Sequence, residues 1–287
     1  MANYSSHIIL AEKIYKNLKN KDIVDKDLMK LFSFGQDLTF LNRSYFKETH
    51  TVNSRNFFIN TIKYIKDNNL QNNKLIMSYL YGHISHYAFD ITIHPFVGTI
   101  LNEIKPKSLI KPHTYLECEM DKYLIKKYGD IDFSFMKSEY MNDKTLRNMI
   151  NTTYRNVYGF FNVSHLYKAF IFLIRRCKCP INKLYNNKCL FIKLSRINSY
   201  DSNSNFSKYV SSSKLLQKYN MNSIFKSSIK LSLSMIKNTN DYLYKNKDIN
   251  ILYNTFDDTP YDIGVIKNVE YNYNKIPLKY NLPLQIK

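Results

Sequence analysis

Between residues 72 and 93 the N-terminal half has its most apolar helical stretch, and a polar seam runs through it. His83, His86, Asp90 and His94 are spaced by three, four and four residues, so on a helix they share one face. Their neighbours Ile76, Met77, Leu80, Ile84, Ala88 and Phe89 read as core. Imidazoles and a carboxylate buried in such an element need partners, because a buried polar group without one is costly; metal ions satisfy them well. Pro95 is expected to close this helix or to start the next element.

A second element repeats the device. His113 and Glu117 stand four residues apart on a helix expected over 113–127. Asp37, in Gly35-Gln-Asp37, and His50 add a carboxylate and an imidazole from a stretch, Gln36–His50, that reads as loop with a turn of helix. His7 lies on an expected first helix over 5–18. A pool of His and acids without Cys favours zinc over manganese or iron. A single His/acid pair at this spacing is usually a surface ion pair or a satisfied core histidine. Two such pairs with a collinear His94, in a chain with seven histidines, shift the balance to metal. His165 lacks an acidic neighbour and is left out. His83 is either a supporting group or an outward-facing residue, and not a ligand.

The frame around these residues is helical. Only 6 Gly and 7 Pro occur in 287 residues, too few turn formers for an all-β chain. Further helices are expected over 26–34, 53–67, 141–158, 163–176 and 214–246. Residues 180–213 read as irregular, and the tail from about 255 as extended along the body. The fold class is therefore all-α: one multi-helix domain around the metal residues, with a less regular C-terminal extension. Residues 1–160 form the metal-binding core. Residues 161–287 form a basic helical and irregular region packing on the same domain.

The charge of +19 favours anionic partners, whether a membrane surface, a phosphodiester or nucleic acid. Compositional drift towards Asn, Lys, Ile and Tyr carries at least half the weight of that excess. It is nonetheless uneven: Lys144 to Tyr200 holds eleven Lys/Arg and no Asp or Glu. Cys118, Cys177, Cys179 and Cys189 lack the paired spacing of a zinc ribbon and read as reduced thiols. No run reaches the ~20 apolar residues of a membrane span. No basic-then-apolar leader is visible, so the expected location is cytoplasmic, with peripheral membrane association as a variant.

These residues resemble the zinc-dependent phospholipase C family over roughly residues 3–128. The resemblance follows an ordered series: His7, Gly35-Gln-Asp37, His50, then G-x-x-x-H-x-x-x-D-x-x-x-H-P from Gly82 to Pro95, and H-x-x-x-E from His113 to Glu117. It implies an all-helical domain in which Asp37, His50, His86 and Asp90 hold one zinc and His94, His113 and Glu117 a second. A third would lie at Asp90 and His7 with the N-terminal residue. There the chain departs from the family, whose secreted members begin with a Trp; this chain has none. The resemblance makes Asp37 the candidate for orienting or deprotonating the attacking water. The implied function is a zinc-dependent phosphodiester hydrolase that cleaves a phospholipid to diacylglycerol and a phosphorylated headgroup. The alternatives are a single-strand nuclease-like enzyme of similar fold, and a non-catalytic metal-stabilised module that binds membranes or a partner.

Overall fold

A computed structural model describes residues 4–104, 112–176 and 220–261; within these, the side chains of 99–104, 112–115, 118, 122 and 176 lie outside the description. Ten α-helices and two 3-10 turns make up the described chain, and no strand occurs in it. The order is α1 (Tyr4–Asn17), α2 (Lys26–Phe32), a 3-10 turn (Gly35–Thr39), α3 (Arg43–Thr51), α4 (Ser54–Asp67), α5 (Lys74–Ile104) and α6 (Pro112–Tyr128). A second 3-10 turn (Ser138–Asn142), α7 (Lys144–Tyr158), α8 (Val163–Arg176), α9 (Met221–Tyr244) and α10 (Asn250–Tyr253) follow.

Polar side chains start the helices by accepting from backbone N–H groups left free in the first turn. Asp25 accepts from Asp27 and Leu28 at α2, Asn42 from Ser44 and Tyr45 at α3, and Asp143 from Leu146 at α7. Gly159, in the left-handed region at φ 72°, ends α7. Helix α1 is started across the fold: the N–H groups of Ser5 and Ser6 donate to the Asp121 carboxylate of α6, at 3.2 and 2.9 Å.

Helix α5 is the axis. Tyr79, Leu80, Ile84, Tyr87, Ala88, Phe89, Ile93 and Val97 are all buried, and α1, α2, α6 and α9 pack around it. Gly82 sets the α2–α5 approach. A Cβ there would lie 2.6 Å from the Phe32 backbone carbon, so a larger residue would push the two helices apart.

Two expectations are corrected. Pro95 does not close α5, which runs through it to Ile104. Proline removes one backbone donor, but Ile93, Phe96 and Val97 are buried on both sides of it, and that packing carries the helix on. The Gln36–His50 stretch is more ordered than expected: a 3-10 turn and then α3, whose last turn carries His50. The helix over 163–176 is two-faced, with Val163, Tyr167, Phe170 and Ile171 buried and His165, Lys168, Phe172 and Arg175 exposed. Among the described residues no single helix is long and apolar enough to cross a membrane. The readings of residues 180–213, of Cys177, Cys179 and Cys189, and of the tail beyond 261 lie outside the described residues.

Candidate metal centre

Five elements bring the sequence-selected residues together. Helix α5 supplies His86, Asp90 and His94 from successive turns, α1 supplies His7, the 3-10 turn Asp37 and the end of α3 His50. Glu117 comes from α6; His113 begins that helix, and its side chain lies outside the described residues. His7, Asp37, His50, His86, Asp90, His94 and Glu117 are all buried.

The ligand-type atoms converge in groups. His7 Nε2 lies 3.3 Å from Asp90 Oδ1, and His86 Nε2 3.2 Å from Asp90 Oδ2. One carboxylate thus faces an imidazole with each oxygen. Asp37 Oδ1 stands 3.1 Å from His50 Nε2, and Glu117 Oε1 3.2 Å from His94 Nε2. His7, His86 and Asp90 form one set whose atoms lie within 4.8 Å of one another; Asp37, His50 and His86 form another. His86 belongs to both, and its ring stacks on His7 at 4.3 Å between centroids.

A repeated device orients the rings. His50 Nδ1 meets the Phe46 carbonyl at 2.7 Å and His86 Nδ1 the Ser33 carbonyl at 3.1 Å; His94 Nδ1 meets the Tyr261 carbonyl. A carbonyl can only accept, so each Nδ1 carries the proton. In each case Nε2 turns to a carboxylate. Histidines that ligate metals are held in this way, with the far nitrogen tied to a carbonyl or carboxylate.

Gly35 makes room for it. The residue sits at φ +50°, and a Cβ there would fall 2.3 Å from the His86 ring. The glycine in Gly35-Gln-Asp37 thus lets the turn bearing Asp37 pass directly over His86.

Electrostatics sharpen the need for a cation. Burial lowers His86 to about 4, outweighing the attraction of Asp90, so the ring is neutral at physiological pH. Asp90 lies well below the usual carboxylate range: burial opposes this, but His86 and His7 prevail. Asp37 is lowered too, burial again being outweighed by the hydrogen bond with His50 and the neighbouring His86 and His50 imidazoles. His94 is raised to about 9, the hydrogen bond to Glu117 and the field of Asp90 overcoming burial. A neutral His86 with its proton on Nδ1 presents a lone pair to an ionised Asp90, and its Nε2 makes no hydrogen bond among the described residues. Two acceptors face each other; a divalent cation between them resolves the arrangement. The oxygen and nitrogen donor set fits zinc.

His83 is a supporting residue, not an outward-facing one. It is buried, with Nδ1 at the Tyr79 carbonyl and Nε2 at the Tyr167 hydroxyl, each at 3.1 Å. Two contributors escaped the sequence reading. Asp121 continues the four-residue spacing of His113 and Glu117, so a signal existed for it. Tyr261 acts through its main-chain carbonyl, which leaves no trace in a sequence.

Fold and site together define a helical protein whose buried histidines and carboxylates form two overlapping groups that could hold metal ions. The sequence profile described as zinc dependent phospholipase C matches residues 6–162, more than half the chain, and the protein belongs to that family. No curated protein and no solved structure matches it.

Proposed function

We propose that the protein is a phospholipase C-like hydrolase, cleaving a phospholipid to diacylglycerol and a phosphorylated headgroup. The observation that carries this reading is the threefold pattern at His50, His86 and His94: Nδ1 on a main-chain carbonyl and Nε2 towards a carboxylate. Asp37, His50, His86 and Asp90 would hold one zinc, and His94, His113 and Glu117 a second. His7, beside Asp90, offers a third position.

Zinc bound there supplies a low-pKa water and charge stabilisation for phosphoryl oxygens. The chain's own part is positional. Asp37, kept ionised within the 3-10 turn, orients the attacking water and takes its proton at a carboxylate oxygen. Asp90, with one oxygen towards His7 and the other towards His86, links the first position to the third. Buried aromatic neighbours, Phe89 against His7 and Tyr261 against His50, keep bulk water from the inner side.

The test measures metal content of the purified protein, then turnover of phosphatidylcholine vesicles and of single-stranded DNA, in zinc and in chelator. Zinc-dependent release of diacylglycerol, abolished in Asp37→Asn, supports the proposal. DNA cleavage with no lipid turnover would assign the nuclease chemistry instead. Zinc uptake with no turnover of either would mark a binding module.

A further inference from the structure

The family profile ends at residue 162, yet the chain returns to the metal centre much later. Beyond α10, residues 256–261 cross α4, α5 and the end of α3 and are fastened at each step. Arg55 donates from its Nε to the Phe256 carbonyl at 3.0 Å and from its backbone N–H to the Asp258 carboxylate at 3.2 Å. Tyr87 donates its hydroxyl to the Asp257 carboxylate at 2.8 Å. Tyr261 then donates its N–H to the His50 carbonyl at 2.8 Å.

The segment ends against the ligands. Tyr261 is wholly buried, its ring 5.4 Å from that of His50 and 5.6 Å from that of His86. Its carbonyl accepts from His94 Nδ1. Its hydroxyl takes part in a buried chain: Gln36 Nε2 to Tyr261 at 3.5 Å, Tyr154 to Gln36, and Tyr154 to Tyr167 at 2.6 Å. The carbonyl is therefore held from both sides.

We propose that Phe256–Tyr261 is a positioning strap for the metal centre, and that its last carbonyl sets zinc affinity at the His94–Glu117 position. This rests on the reading of that pair as zinc ligands. A metal-bound imidazole is neutral and carries one proton. The Tyr261 carbonyl would hold that proton on Nδ1 and leave Nε2, which faces Glu117, for the metal. Without the strap, Nδ1 loses that acceptor, and nothing in the strap then keeps the proton off Nε2, the atom a metal needs. The strap is thus a working part of a site whose ligands all come from the first half of the chain.

The full-length, zinc-loaded protein tests this by titration with a chelator, counting zinc equivalents retained. Asp257→Ala combined with Arg55→Ala loosens the strap without touching a ligand; Tyr87→Phe removes one hydroxyl and keeps its ring. His94→Ala marks the loss of the second zinc. The double variant is expected to release one equivalent at roughly 10–100-fold lower chelator, the range for groups that orient a ligand, while the other holds as in the unaltered chain. Tyr87→Phe is expected to move the same way by less, which keeps the test valid if the double variant misfolds. The His94 Nδ1–H resonance is expected to be protected in the unaltered protein and to exchange with water in the variants. Variants that keep both equivalents unchanged, or lose all equivalents at one chelator concentration, would overturn the strap's role alone. An unaltered chain that takes up no zinc would overturn the metal-centre reading and the strap with it.

Discussion

His86 Nε2 faces Asp90 Oδ2 at 3.2 Å and makes no hydrogen bond among the described residues. The imidazole proton is committed to the Ser33 carbonyl, burial keeps the ring neutral, and the carboxylate is held ionised. The pair is unfavourable in the metal-free protein and favourable with a cation. Asp90→Asn should therefore divide the two states. An amide can donate to Nε2, so the metal-free variant should melt at or above the unaltered metal-free protein. The unaltered chain should gain about 2.7 kcal/mol at a zinc concentration 100-fold above its Kd, and the variant should lose most of that gain. Thermal melts with and without zinc read both effects.

Gly35→Ala meets the His86 ring at 2.3 Å and a backbone conformation that side chains resist. The variant should fold with a cost of about 1–3 kcal/mol and bind zinc more weakly, since either the turn bearing Asp37 or the ring must shift. Gly159→Ala is the control. It has a positive φ as well, but no atom lies within 4 Å of the added carbon. It should lose similar stability and keep its zinc affinity, as metal titration would show.

His83 gives the metal-free protein a pH dependence. Burial, with help from the neighbouring His86, depresses it to about 3. The unfolded chain titrates near the ordinary value of about 6.5. Between those values the unfolded state binds a proton that the folded state refuses, so stability falls as pH falls through this window. His83→Phe, placed among Phe57, Tyr79 and Tyr167, removes that proton. Denaturant melts from pH 7 to pH 4 should show a shallower decline in the variant.

Asp121→Ala should free the start of α1. It removes the acceptor of two backbone N–H groups and of the Ser6 hydroxyl. A cost of about 1–2 kcal/mol is expected for a lost helix cap. His7 begins the next step of that helix, so any zinc held at His7 should dissociate first, ahead of the others, in a chelator series.

Much of this architecture was legible in the sequence, because helical spacing is a strong signal when the buried face is continuous. The expected helix over 5–18 matches α1, on which Ile8, Ile9, Ala11 and Ile14 are buried, and the i,i+4 pairs placed His86, Asp90 and His94 on one face. Two readings missed for local reasons. Asn42 is a good N-cap, and its presence ahead of Arg43–Thr51 was the signal that the expected single turn of helix was a longer one. Pro95 is a strong breaker on average, but tertiary packing around Phe96 and Val97 overrode it. The strap was invisible for a deeper reason: Tyr261 contributes a peptide carbonyl, which every residue has, and contact at such separation follows from topology rather than pattern.

That α5 continues unbroken through Pro95 has one more consequence. His86, Asp90 and His94 are separated by four residues each, about 6 Å of rise per step along a helix. The spacing between these three side chains is thus a property of the peptide repeat and not of any loop. Substitutions at the protein's surface can alter how well each position is closed. They have little purchase on how far apart the positions lie, because that distance is ruled into the backbone of a single rod.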